Sequence, residues 1–410
     1  MVTGLGRWLP VLLGLVSATL PSRAEPPYTP RNDAVVVETV RQPRLPGMAS
    51  LGELRARWAA QPKLVPAALA YARAAAELSR RDEDPRYLGY AQAALAPWWD
   101  RPEAPPEVLL LRASLHLARM DYAPAERDLQ ALIAAGVPEG HAARITRALL
   151  RLSQGDPAAA AADCDAAAAH VGALTAASCM AAVRGLQGAA ADALDALEIA
   201  LQLSADAPWS VELWARSVAA ELALRIGQTA RAQRHFEAGL NRMRAADTTD
   251  PGILAAYADF LLHQGDAQQV RDMLTPYPRQ DSLLLRLTLA ELSIARNGDA
   301  AAAAGATQHT RHLTLRFAEM RQRGDRSHLR DQALFELDVR RDPSAALARM
   351  TESWAYQRDP VDARLLLRAA RAARQPDAAI AVNAWIVGTG VRDQRLAAEQ
   401  AAWRQQATGR

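Results

Sequence analysis

Residues 261–267 read LLHQGDA, and residues 117–125 read LARMDYAPA. In each stretch an apolar segment ends at a turn residue, an aspartate follows, and small residues open the next segment. Glycine is favoured just past a helix end because it tolerates a left-handed backbone, and aspartate is favoured at the N-cap of the following helix. The pattern therefore predicts two antiparallel helices joined by a short turn.

The same turn recurs along the chain. Aligning it gives eight anchor positions separated by 33 to 43 residues: Met120, Gly155, Gly188, Gly227, Gly265, Gly298, Arg341 and Arg374. Five residues after each anchor stands a small side chain: Ala125, Ala160, Ala193, Ala232, Val270, Ala303, Ala346 and Ala379. A small residue is needed there because the second helix of a pair approaches the first most closely at that point. The period predicts a stack of helix pairs in which each pair is covered by its neighbours.

Helix starts are marked by aspartate followed by proline. These steps are Asp84-Pro85, Asp156-Pro157, Asp250-Pro251, Asp342-Pro343 and Asp359-Pro360. The acid accepts hydrogen bonds from the free amides of the first turn, and proline suits the first helical position. Ser50 and Glu53 have the spacing of a capping box, so the first helix is predicted to begin there. No segment shows sustained strand alternation, and the predicted fold class is all-α.

With a period near 34 residues, the chain resembles the tetratricopeptide repeat family, and in particular bacterial members that carry a signal peptide. Small residues match the family motif in the first helix at Ala113, Ala148, Ala181, Ala220 and Ala258, and large positions of the second helix hold Leu129, Cys164, Leu197, Phe236 and Leu274. The resemblance implies an α-solenoid, a right-handed superhelix of antiparallel helix pairs. It also implies a concave groove, lined by the first helices, that binds a protein or peptide. Sel1-like and HEAT-type arrays are the alternatives.

The first 24 residues have the pattern of a signal peptide. Arg7 precedes an apolar stretch, and small residues at Ser22 and Ala24 fit a cleavage site. We therefore expect a signal peptide at 1–24, an extended arm rich in proline and arginine at 25–49, about eight to nine helix pairs at 50–390, and a capping helix with a tail at 391–410. The expected location is the periplasm or the exterior. An uncleaved membrane anchor is the alternative.

The charge balance disfavours a nucleic-acid partner. The formal charge of +3 falls to +1 once Arg7 and Arg23 leave with the signal peptide, and Lys63 is the only lysine. Nucleic-acid binding requires a basic surface, and a near-neutral chain lacks one overall. Arginine does, however, favour bidentate contacts with carboxylates and phosphates.

Two cysteines, Cys164 and Cys179, fall on the second helix of one pair and the first helix of the next. If the chain turns back near residue 171, the two side chains come close together, and an oxidising compartment favours a disulfide between them. Two buried thiols are the equally weighted alternative.

Arginines recur on the first helices of the pairs, and several of them facing the groove would form a ladder able to grip carboxylates. The candidates are Arg112, Arg147, Arg151, Arg184 and Arg216. Solvated helix faces with acidic partners are the alternative. The register of these assignments is accurate to about one residue, which rotates a helical side chain by about 100°.

For the other candidate sites, a role in capping, packing or solvation explains the residues better than ligand binding does. His309 and His312 have the spacing of two metal ligands but have no third ligand nearby, so no metal and no cofactor is expected. The segment from Gly388 to Gly390 follows no strand and is interpreted as a helix C-cap. Asp163 and Asp165 are expected to be solvated. Tryptophans such as Trp98, Trp99, Trp354 and Trp385 are expected to pack between repeats.

The sequence thus predicts an exported, non-catalytic scaffold or adaptor that binds a protein or peptide partner in its groove. The competing hypothesis is a helical enzyme, or an enzyme subunit, that acts on an envelope substrate. That hypothesis requires an acid of raised pKa in a pocket.

Overall fold

The computed structural model describes Asn32 and residues 50–408, and side chains up to residue 406. The chain divides into two units, Met1–Arg41 and Gln42–Arg410, and every described helix belongs to the second. The predicted signal peptide lies outside the described residues, as does the arm apart from Asn32. No helix in the described part is long and apolar enough to cross a membrane.

The second unit is built from α-helices, and α2 to α19 form nine consecutive pairs among the described residues. The helices are α1 (Leu51–Ala60), α2 (Val65–Asp82), α3 (Arg86–Ala94), α4 (Pro106–Ala118), α5 (Tyr122–Ala134), α6 (Glu139–Ser153), α7 (Pro157–Ala167), α8 (Ala173–Leu186), α9 (Ala190–Leu203) and α10 (Trp209–Arg225). They continue as α11 (Thr229–Ala245), α12 (Pro251–Gln264), α13 (Ala267–Leu274), α14 (Asp281–Ala295), α15 (Ala300–Gln322), α16 (Leu329–Leu334), α17 (Pro343–Trp354), α18 (Pro360–Ala372), α19 (Ile380–Thr389) and α20 (Gln394–Thr408). A π-helical turn, Phe335–Val339, extends α16. The all-α prediction is confirmed.

The turns between paired helices follow the predicted pattern. All eight anchors have a left-handed backbone, with φ between +57° at Arg374 and +94° at Gly298. A left-handed residue ends the first helix and lets the last carbonyls of that helix find donors. Glycine adopts this conformation without steric cost, whereas Met120, Arg341 and Arg374 do so with a side chain.

The predicted caps and small contact residues are mostly confirmed. Aspartate caps the helix after it at four of the five Asp-Pro steps, and Ser50 with Glu53 forms the capping box. At the remaining step Pro85 is the N-cap, and the Asp84 carboxylate instead accepts from the amide and side chain of Arg86.

The residues five after the anchors are buried except Ala303. In that repeat Ala302 is the buried residue, which places α15 about one residue out of the predicted register.

The last repeats pack on the middle ones. One hydrophobic cluster joins residues of α6 to α8, including Val183, to residues of α16 to α20, including Leu366 and Leu396. The amide of Arg358 donates to the carbonyl of Ser153 at 2.7 Å. We call this contact of α6 to α10 with α17 to α20 the seam.

The helix predicted to cap the end of the stack also takes part in the seam. α20 packs on α18 and reaches α10, where the Gln394 side chain donates to the Ile226 carbonyl at 3.2 Å and Arg395 lies 3.3 Å from Glu221. The first helices of the middle pairs are therefore covered by the end of the same chain.

Candidate functional site

The predicted arginine ladder does not line an open groove. Arg112 is only 4% exposed, and its Nε and Nη2 donate to the two carboxylate oxygens of Asp128 at 2.6 Å each. Its Nη1 donates to the carbonyls of Trp98 and Trp99 at 2.5 and 2.6 Å. The guanidinium of Arg112 thus holds α4, α5 and the preceding turn together and is unavailable to a partner.

Arg147 repeats this arrangement in the next pair. Its Nε and Nη2 donate to Asp163 at 2.8 and 2.6 Å, and Asp163 is only 1% exposed. The expectation that Asp163 is solvated is therefore wrong, whereas Asp165 is exposed. Both arginines stand eight residues before an anchor and both aspartates eight after it, so this spacing is the sequence signal for the ion pair. A bidentate pair of this kind fixes two helices in one relative position.

The other three arginines are placed differently. Arg151 donates to the Ala159 carbonyl at 3.1 Å and lies 3.1 Å from Asp163. Arg216 donates to Glu212, one turn earlier on the same helix, at 2.8 Å. Arg184 is exposed on α8. The five arginines therefore do not form one continuous surface.

Cys164 and Cys179 are joined by a disulfide, with their Cα atoms 5.8 Å apart. The bond links α7 to α8 inside the hydrophobic cluster of the seam, where both residues are at most 1% exposed.

The remaining sequence candidates have structural roles. Nδ1 of His309 lies 2.8 Å from Glu291 and His312 is exposed, while no cluster of metal ligands occurs among the described residues. Gly390 is the left-handed C-cap of α19, as predicted. Trp354 and Trp385 are each 8% exposed and pack edge to face at 5.6 Å, which confirms the packing interpretation for this pair.

A charged cluster lies between the end of α2 and the late repeats. Glu83 accepts from the Ser282 amide at 2.9 Å, and Arg286 pairs with Asp331. Burial alone would lower the pKa of His328, but the Asp331 carboxylate, 3.6 Å from Nδ1, and the charge of Glu83 raise it to about 9. Burial raises the pKa of Glu83. The cluster ties α2 to α14 and α16 through opposite charges.

The seam leaves a cavity of about 530 Å³, which we call the seam cavity. It lies between the start of α9, the end of α10 and the segment joining α19 to α20. Arg225, Ile226, Ile386, Val391, Arg392, Asp393, Leu396 and the first residues of α9 are among the residues that line it. A volume of this size suits a small ligand or a short peptide segment.

Arg225 is the residue that sequence reasoning missed. It closes α10, two residues before the anchor Gly227. Its Nε and Nη1 are buried and have no hydrogen-bond partner within the described part of the chain. It lines both the seam cavity and a smaller one of about 210 Å³. No local pattern marks this arginine, because the residues opposite it come from α19 and α20, more than 160 positions later.

These features define an α-helical repeat protein whose last repeats pack on its middle repeats around a ligand-sized cavity. No protein-family model and no curated protein matches the chain. Among solved structures it is similar to a Rap protein complexed with competence and sporulation factor, with 13% identity, a TM-score of 0.46, and coverage of 84% of this chain and 99% of that chain.

Two further solved structures are similar. Yeast Tom70 matches with 10% identity, a TM-score of 0.41, and coverage of 87% of this chain and 85% of that chain. The TPR domain of P58(IPK) matches with 17% identity, a TM-score of 0.22, and coverage of 87% and 99% respectively. With scores this low these likenesses carry no weight for function, and the helix-pair architecture stands on the contacts described above.

Proposed function

We propose that this chain is an exported, non-catalytic scaffold that captures a segment of a protein or peptide partner in the seam cavity. The observation that carries the proposal is the combination of a ligand-sized space of about 530 Å³ with Arg225, whose Nε and Nη1 meet no acceptor among the described residues. Binding sites commonly combine a mainly apolar wall with a few polar groups that fix orientation. The predicted groove is replaced by this narrower site because α17 to α20 occupy the face that would have been open.

The frame around the cavity suits binding. The hydrophobic cluster of the seam, which includes Val391 and Leu396, holds the α19–α20 side of the wall, and Gln394 and Arg395 tie α20 to the Ile226 carbonyl and to Glu221 of α10. Rigid walls reduce the conformational entropy lost when a partner segment binds.

Export is proposed from the sequence. The charged and apolar pattern of residues 1–24 is that of a signal peptide. The paired cysteines are in keeping with an oxidising compartment.

The enzyme alternative requires an acid of raised pKa in a pocket. Burial raises the pKa of Glu83, and burial raises that of Asp362 to about 6. Glu83 is engaged by Ser282, and Asp362 by the Arg330 side chain at 2.7 Å; neither acid lines the seam cavity. These acids give the enzyme alternative no support.

Site-specific photo-crosslinking in intact cells tests the proposal, with the native N-terminus in place. A photoreactive amino acid at Ala397, an exposed residue of the cavity lining, is compared with the same group at Leu315, which is 64% exposed on α15. We expect an adduct to one partner segment from Ala397 alone, mapped by mass spectrometry, and a mature chain that starts at Glu25. Equal adducts from both positions, or none from Ala397, would contradict partner capture in the cavity. A chain retained in the cytoplasm would contradict export.

A further inference from the structure

We propose that Arg225 receives an oxyanion, a carboxylate or a phosphate carried on an apolar body, within the seam cavity. The inference rests on the proposed function, because it names the chemical group by which a captured ligand is held.

The Arg225 side chain carries donors that the described residues do not satisfy. A guanidinium carries five N–H donors and keeps its charge at any pH a protein tolerates. Nε and Nη1 of Arg225 are buried and meet no acceptor among the described residues. Arg112 and Arg147, by contrast, each have a carboxylate that accepts two of their hydrogen bonds. Buried charge is costly without a partner, so Arg225 is suited to an acceptor that arrives from outside the chain.

A glycine on the neighbouring helix α8 leaves space for the Arg225 side chain. Gly185 lies inside α8 and is buried. A Cβ at this position would lie 2.7 Å from Nη1 of Arg225 and would overlap Leu222. Glycine in a helix interior is less favourable than alanine. The fold accepts glycine here, and the absent methyl group leaves room for the guanidinium between α8 and α10.

A helix N-terminus and a second arginine line the same cavity as Arg225. The N-terminus of α9, at Ala190 and Ala191, contributes to the lining, and the N-cap Ala189 makes no side-chain cap hydrogen bond. Free amides and the helix dipole at such an end favour negative charge. Exposed Arg392 adds a second positive group.

Asp192 and Asp393 also line the cavity, and neither forms an ion pair with Arg225. Oδ1 of Asp393 accepts from the Leu396 amide at 2.9 Å, whereas its buried Oδ2 lies 3.9 Å from Arg395 and accepts no hydrogen bond from the described residues. Asp192 is exposed in the first turn of α9. The charge of Asp192 should weaken anion binding slightly by repulsion. Removing this charge should therefore strengthen anion binding, whereas removing the charge of Arg225 should weaken it.

The remaining wall is apolar and defines the rest of the ligand. Ile226, Ile386, Val391 and Leu396 supply apolar side chains to the lining. A fully hydrated ion would make no contact with these apolar side chains. An anionic group joined to an alkyl chain or to an apolar side chain uses both halves of the lining.

Isothermal titration of the full mature protein tests the inference with three probes that share one chain length: octanoate, octyl phosphate and octanol. We expect at least one of the two anions to bind at least about ten times more tightly than octanol, since a charge-assisted hydrogen bond contributes at least this factor. The stronger of octanoate and octyl phosphate identifies the headgroup.

Matched variants assign the effect to Arg225. Arg225→Gln should weaken the binding of the anion at least about tenfold, whereas Arg184→Gln, an exposed arginine on the adjacent helix, should leave it unchanged. Asp192→Asn should tighten binding about two- to threefold by removing a repulsive charge. If Arg225→Gln fails to fold, Arg225→Lys retains the charge without the fork and should weaken binding by a smaller factor than tenfold.

The inference would be overturned if octanol bound as tightly as the anions or if neither anion bound. It would also be overturned if anion binding were unaffected by the changes at Arg225 and Asp192. Its failure is separable from that of the proposed function. Anion binding that depends on Arg225, without a protein adduct at Ala397, would refute partner capture and leave a small amphiphile as the ligand. An adduct at Ala397 with no anion effect would refute only the role of Arg225.

Discussion

Replacing Gly155 with alanine should weaken the fold more than the same change at Gly265, because only Gly155 lies against the end of the chain. Both glycines end the first helix of a pair, with φ of +78° and +88°. Any residue with a Cβ pays about 1–2 kcal/mol for this left-handed conformation. That strain is common to the two variants and cancels when they are compared.

The surroundings of the two glycines differ. A Cβ at Gly265 meets nothing within 4 Å. A Cβ at Gly155 would overlap the indole nitrogen of Trp385 and lie 2.9 Å from the Cβ of Arg358. Forcing an extra methyl group into a packed site costs about 1–3 kcal/mol. We therefore expect Gly265→Ala to lower the free energy of unfolding by about 1–2 kcal/mol, and Gly155→Ala to lower it by about 2–5 kcal/mol.

The assay is urea unfolding followed by circular dichroism and by tryptophan fluorescence, with hydrogen exchange at the amide of Arg358 as a local measure. That amide donates across the seam to Ser153, so its exchange should accelerate in Gly155→Ala and stay unchanged in Gly265→Ala. Gly298→Ala is a second control, since a Cβ there also meets nothing within 4 Å. Equal losses in all three variants, with unchanged exchange at Arg358, would falsify the packing of the last repeats on the middle ones.

Three further outcomes test other parts of the fold. Asp163→Ala should lower the free energy of unfolding by about 3–5 kcal/mol, because it leaves the buried Arg147 guanidinium without its carboxylate. Asp165→Ala, at an exposed position, should lower it by less than about 0.5 kcal/mol. Similar losses for the two variants in urea unfolding would refute the ion pair. The pKa of His328 is about 9 in the folded protein and near 6.5 in the unfolded chain. The charged ring therefore stabilises the fold fully below pH 6.5, and this stabilisation disappears as the pH rises through 9. His328→Gln should flatten the dependence of stability on pH over that window, and an unchanged slope would contradict the charge cluster. Because the disulfide closes a loop of 15 residues, its reduction should lower the free energy of unfolding by about 3 kcal/mol. Alkylation of both cysteines in the absence of a reductant would exclude the bond.

Much of the fold follows from patterns within a few residues of one another. The left-handed turns, the aspartate caps and the small contact residues are local requirements of a helix end or of two adjacent helices. A residue type such as Gly265 or Asp156 satisfies them without reference to the rest of the chain. The helix pairs and their period could therefore be predicted from the sequence alone.

The candidate site could not be predicted this way. Arg112 and Arg147 were predicted to face a groove but are buried, because the carboxylates of Asp128 and Asp163 on the second helices accept their hydrogen bonds. Periodicity also shows that a helix has an apolar face without showing what covers it. In this chain the apolar faces of the middle first helices could meet either a partner or the chain's own last repeats.

The sequence by itself determined where most of the helices begin and end and which helices pair, because those choices depend on short-range sterics and hydrogen bonds. Only the tertiary structure decided that α17 to α20 return to α6 to α10, and that Nε and Nη1 of Arg225, beside the seam cavity, meet no acceptor in the described part of the chain. The physical reason is that this decision depends on the fit between surfaces more than 160 residues apart, and no local pattern of residues specifies that fit.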